Sequence, residues 1–193
     1  MNRIERDSLM TLEAYARARP EFRARVLSHK KNRTLALGAN VTLIFEDELT
    51  IRYQVQEMLR VEKTFEERGI LDELEAYNPL IPDGTNWKAT MMIEFPDVEE
   101  RKQKLALMRG IEHDVWTRAA DAEKIRAIAD EDLDRSNEEK TAAVHFLRFE
   151  LPEASRTALR QGAELSFGVD NPHYRIDVRV PESIRAALLE DLA

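Results

Sequence analysis

The chain has 193 residues, of which 43% are hydrophobic and 34% charged, with a formal net charge of −8 and no cysteine. This describes one globular domain with an ordinary core, residues 1–193, and not a fibrous or low-complexity polymer. The missing cysteines exclude disulfides, a thiol nucleophile, thiolate-bound zinc and a cysteine-ligated iron–sulfur cluster on this chain.

No apolar run approaches the roughly 18 residues that a membrane span needs, and the N-terminus lacks the apolar stretch of a signal peptide. No membrane association and a cytoplasmic location are therefore expected. The two common phosphate-cradling glycine loops and the G-x-S-x-G elbow are absent.

In chain order, residues 11–31 read as helix, with Pro20 at the first turn of a second piece that starts near Glu21. Thr34–Leu37 and Val41–Phe45, joined by Gly38-Ala39-Asn40, form a predicted hairpin. Residues 48–68 read as one helix capped by Asp47 and stopped by Gly69, its apolar arc made of Ile51, Val55, Met58, Leu59 and Phe65. A short helix to Ala76 follows, and then a loop over 77–84. Trp87, Ala89, Met91, Ile93 and Phe95 alternate with more polar residues, the cleanest strand in the chain. Pro96-Asp97 opens a helix that ends at Gly110. Strands are expected over 111–118, 123–129, 141–151, 164–169 and 174–180, with a helix over 153–161. A last amphipathic helix carries Ile184, Leu188 and Leu192 inward. The absence of a regular β-α-β alternation predicts an α+β fold, a largely antiparallel sheet with helices packed on it, a helical N-terminus and a short C-terminal helix. Gly69, Gly110 and Gly162 each follow a helix-like segment, as left-handed caps do.

The metal templates are incomplete. No H-E-x-x-H or Glu-x-x-His occurs, and the four histidines lie on separate elements. Asp130, Asp132 and Asp134 imitate a calcium loop, but Arg135 stands where Gly is required and Thr141 where Glu would close it. A solvated acidic loop over 130–139 is the expectation, and the chain should fold without metal. No cofactor is identified.

Two residues break the binary pattern. Glu62 falls within the apolar arc of its predicted helix, and His145 alternates with Ala143, Leu147, Phe149 and Leu151 on the apolar side of its strand. Both are expected to be buried, near each other or near an arginine such as Arg148. An imidazole near a buried carboxylate can act as ligand or proton carrier, or simply as a hydrogen-bonded core pair. Glu57 and Arg60 are spaced to pair across one helical turn, with Tyr53 on the same face and Arg52 and Gln56 adjacent. They form either an exposed ion pair or a polar contact surface.

Charge is segregated as well. Residues 17–33 hold Arg17, Arg19, Arg23, Arg25, Lys30, Lys31 and Arg33 against the single acid Glu21, on an otherwise acidic chain. Such a basic helical segment can hold an anion or an acidic partner, or fold back onto its own acidic body. Nucleic acid is disfavoured by the net charge and by the lack of aromatic residues among these cations.

The runs RPEFRARVLSHKKNRTLALGANVTLIFEDELTIRYQVQEMLRVEK, YNPLIPDGTNWKATMMIEFPDVEERK and DRSNEEKTAAVHFLRFEL resemble the bacterial family catalogued as domain of unknown function 3501. Members are described as encoded beside a rubrerythrin and an iron–sulfur oxidoreductase. The resemblance therefore implies a non-enzymatic accessory or adaptor in peroxide or oxygen defence, with rubrerythrin-like and iron–sulfur proteins as partners. The other reading is an enzyme, or a metal- or haem-binding protein, using Glu62 and His145 with His29 or Glu57.

Overall fold

The computed structural model describes residues 3–129 and 141–193, so the acidic run 130–139 lies outside the described residues. The first helix, α1 (Leu12–Lys30), starts where the Thr11 hydroxyl accepts the Ala14 N–H, and it runs unbroken through Pro20. The expected interruption does not occur. Proline removes one N–H and leaves the Ala16 carbonyl without its helical donor, but both residues are exposed and water can serve that carbonyl.

The predicted hairpin forms as β1 (Thr34–Leu37) and β2 (Val41–Phe45), and α2 (Glu48–Glu62) follows. Asp47 caps α2 by accepting the Thr50 N–H at 2.9 Å, while the Thr50 hydroxyl accepts the Asp47 N–H. The helix ends at Glu62, not at residue 68. Lys63 turns left-handed with φ 56°, and both its N–H and that of Thr64 bond the Leu59 carbonyl. Gly69 is therefore no stop. It lies in the first turn of α3 (Glu67–Tyr77), where a Cβ would come within 2.7 Å of Thr64 Cγ2. Gly110 and Gly162 do take the left-handed conformation expected of them.

The remaining elements are β3 (Asn86–Ile93), α4 (Val98–Leu107), β4 (Val115–Ala119), β5 (Ile125–Arg126), β6 (Ile128–Ala129), β7 (Val144–Glu150), α5 (Glu153–Arg160), β8 (Leu165–Asn171), β9 (Tyr174–Arg179) and α6 (Glu182–Leu189). Two of the expected strands are shorter than read. Ile111–His113 is a 3-10 turn ahead of β4, and the 123–129 run splits into β5 and β6.

The fold is α+β, and its strands make two antiparallel sheets: β1-β2-β3-β7-β6 and β5-β4-β8-β9. Alternation puts Leu43, Phe45, Trp87, Met91, Leu147 and Phe149 of the first sheet against Val115, Leu165, Phe167 and Val169 of the second. Phe167 lies 5.0 Å from Phe45 and 5.2 Å from Phe149, ring centre to ring centre, so it joins the two layers. One edge is closed by the chain itself, which passes from β5 to β6 through Ala127, and the other by the Tyr174 hydroxyl donating to the Leu37 carbonyl. α6 covers an end of this core, where the Trp87 indole N–H donates to the Leu188 carbonyl at 2.8 Å. On the outer face of the second sheet, Trp116 lies directly over Gly168, with Lys124 4.1 Å from its ring centre. A second apolar cluster joins Ile4 and Leu9 to α2 and α3 through Ile51, Val55, Leu59, Ile70 and Leu74. Among the described residues no helix is long and apolar enough to cross a membrane.

Candidate functional site

The helical period of α1 divides the basic segment. Tyr15 and Val26 are buried, and Arg19, one turn beyond Tyr15, shares their side of the helix. Arg19 reaches α2 and grips Glu57 with Nε to Oε1 at 2.7 Å and Nη2 to Oε2 at 2.8 Å, while the Tyr15 hydroxyl donates to the same carboxylate at 2.7 Å. Arg60 stands 3.5 Å away. The hydrogen bonds from Arg19, and then from Tyr15, hold the Glu57 pKa down to about 2, against an opposing effect of burial. Burial, reinforced by the Glu57 carboxylate, pushes the Tyr15 phenol above its ordinary value. The expected Glu57–Arg60 pair is thus the lesser part of an interhelical clamp.

Arg52 and Gln56 are fasteners as well. Arg52 pairs with Glu48 and donates to the Ser8 carbonyl at 2.8 Å, and Gln56 Oε1 accepts the Met10 N–H at 2.8 Å.

Just beyond the C-terminal end of α1, Arg33 is 2% exposed. Its Nη2 and Nη1 bond Asp191 at 2.6 and 2.9 Å, and its Nε lies 2.9 Å from Asp47, which also pairs with His29 Nε2. Burial outweighs the attraction of Arg33 and raises the Asp191 pKa, whereas Arg33 is held above its ordinary value by Asp191 despite its own burial. This network borders a cleft of about 630 Å³ that also touches Arg25, Asp83, Glu190 and Ala193.

What remains of the basic segment faces outward. Arg17, Arg23, Arg25 and Lys31 are exposed and Lys30 is half-buried, and none of the five enters an ion pair among the described residues. The seven cations therefore do not act as one patch. Arg19 and Arg33 belong to the interior bonding of the chain.

Glu62 and His145 are not brought together. Glu62 is exposed as the last residue of α2, and Phe65, beyond the left-handed turn at Lys63 that ends the helix, is 74% exposed and does not continue its apolar stripe. His145 is 3% exposed on β7, as its alternation requires. The carboxylate beside it is Glu112, 3.8 Å from Nε2, and the Thr141 hydroxyl lies 2.9 Å from Nε2 and donates to Glu112 at 3.0 Å. Arg148 pairs instead with Glu150. No periodicity marks Glu112, which sits in the 3-10 turn after Gly110. Among the described residues, no group of three or more acidic or histidine side chains is placed to hold a metal ion.

On the outer face of the first sheet, the buried Glu46 and half-buried Lys88 border a cavity of about 280 Å³. Neither stands out in the sequence, because Lys88 falls on a polar position of β3 and Glu46 directly follows β2, in the link to α2.

The chain matches the family described as protein of unknown function (DUF3501) over residues 3–192. It is also similar to a novel protein of unknown function from Burkholderia pseudomallei K96243, known from a crystal structure. The two share 52% identity, with 99% of this chain and 100% of that one covered and a TM-score of 0.94. No curated protein matches the chain. With nearly its whole length inside the match, the chain belongs to the DUF3501 family of proteins of unknown function.

Proposed function

We propose that this is a cytoplasmic, non-enzymatic accessory protein that docks an acidic redox partner on the outward face of α1. The supporting observation is that Arg17, Arg23, Arg25 and Lys31 stay exposed, with no ion pair among the described residues, on a chain whose net charge is −8. Cations that merely held α1 down would be consumed by internal acids, as Arg19 and Arg33 are. An exposed cationic face on an acidic protein steers encounter with an anionic surface and is screened by salt. The family resemblance points to a rubrerythrin-like or iron–sulfur protein as that partner.

The test is association of the purified protein with such a partner, measured by calorimetry at low and high salt. Reversal of Arg17, Arg23, Arg25 and Lys31 to Glu should weaken association at least about tenfold and leave the melting curve unchanged. Salt-independent association, or association untouched by the reversal, would defeat the proposal.

A further inference from the structure

Glu46, Lys88, Arg148 and Ile128 form one row across the outer face of the first sheet. The Glu46 N–H donates to the Lys88 carbonyl at 2.8 Å, Lys88 is in register with Arg148, and Arg148 with Ile128. Opposite charges on adjacent strands ordinarily close on each other. Here they are held apart. Glu46 is 3% exposed and accepts the hydroxyls of Thr50 and Thr90, each at 2.6 Å, one on each carboxylate oxygen. Lys88 donates to the Pro79 carbonyl and enters no ion pair among the described residues. Burial lowers its pKa and Arg148 adds to the effect, although Asp83 and Glu150 oppose it.

A buried carboxylate and a half-buried ammonium that do not pair lose solvation without full return. Each keeps bonding capacity, since a carboxylate has about four lone-pair sites and an ammonium three donors. The cavity of about 280 Å³ touches both groups, and its other walls include Leu80, Phe146 and Ile128. That volume lies just under the roughly 300–1,000 Å³ of common ligand pockets, too small for a nucleotide and sufficient for one amino acid.

We propose that this cavity binds a small zwitterion, an α-amino acid with an apolar side chain. Its carboxylate would rest on Lys88 and Arg148, its ammonium on Glu46, and its side chain against Leu80, Phe146 and Ile128. The pairing supplies Glu46 and Lys88 with the counter-charge that neither has among the described residues.

The full chain should be titrated with L-leucine by calorimetry and by amide-resolved NMR, beside 4-methylpentanoate, which lacks the amine, and 3-methylbutylamine, which lacks the carboxylate. Leucine should bind saturably, and each truncated compound at least about tenfold more weakly. Lys88→Met and Glu46→Gln should each cost at least about tenfold in leucine affinity. If a variant misfolds, the NMR shifts of the unmodified protein decide, and they should centre on Glu46, Lys88 and Leu80. Absence of saturable leucine binding, shifts centred elsewhere, survival of binding in both folded variants, or 4-methylpentanoate matching leucine would each overturn the proposal.

Discussion

Arg19 of α1 holds Glu57 of α2 in a two-point grip, Nε to Oε1 at 2.7 Å and Nη2 to Oε2 at 2.8 Å, across 38 residues of sequence. A bidentate guanidinium–carboxylate pair fixes direction as well as distance. The grip sets α1 against α2 and leaves Arg17, Arg23 and Arg25 turned to solvent. The interior bonding of the basic segment thereby decides which of its cations are available to a partner.

The clamp predicts an acid-sensitive contribution to stability. The folded pKa of Glu57 is depressed from 4.5 to about 2. Its contribution is therefore complete above 4.5 and is lost as pH falls toward 2. Glu57→Gln should cost about 1–2 kcal/mol at neutral pH, and the gap from the unmodified protein should narrow as pH drops through about 4 to 3. Thermal melts of both proteins across that range check this. A pH-independent gap would remove Glu57 as the source.

Arg33 is the more costly residue to lose. Arg33→Met should destabilise by about 3–5 kcal/mol, because Asp191 is left buried without its counter-charge. The loss should shrink in acid, where a protonated Asp191 carries no charge to compensate. Urea unfolding at about pH 7 and pH 4.5 measures both. An Arg33→Met, Asp191→Leu double variant should recover part of the loss.

Gly168 is required by its neighbours and not by a positive φ. A Cβ there would lie 2.3 Å from Trp116 Cζ2 and 2.4 Å from the Ile176 carbonyl oxygen, and the latter is backbone in the adjoining strand. Gly168→Ala should therefore cost about 1–3 kcal/mol through displaced packing. A shift in tryptophan fluorescence should accompany the loss. A stable variant with unchanged emission would mean that Trp116 moves freely.

The early end of α2 is testable by contrast. Phe65→Ser and Glu62→Ala should each change stability by less than about 0.5 kcal/mol, as surface substitutions do. Ile51→Ala, at a fully buried position, should cost about 2–5 kcal/mol. Denaturant midpoints would show Phe65 behaving like Ile51 if the helix ran on to residue 68.

Local order was readable along most of the chain. The alternation from Trp87 to Phe95 yields β3, the Gly38-Ala39-Asn40 loop yields the first hairpin, and Ile184, Leu188 and Leu192 turn inward at the C-terminal end as their spacing requires. His145 is buried because a two-residue period places it there. The misplaced elements had misleading or silent signals. Lys63 takes a left-handed turn with no glycine to announce it, so the helical period extends past the true end of α2 at Glu62 and places Phe65 on a stripe the helix does not reach.

The amino-acid sequence by itself determined the kinds of elements, the inward faces of β3, β7 and α6, the α+β class and the excess of cations between 17 and 33. Only the tertiary structure decided the division of the strands into two sheets, the neighbour of His145, and which cations are consumed. The reason is range. Helical and strand periods repeat within a few residues, so they are written in adjacent letters. An ion pair depends on distance in space: Arg19 finds Glu57 38 residues away, Arg33 finds Asp191 158 residues away, and like charges within one short segment acquire different roles from partners that no local pattern can name.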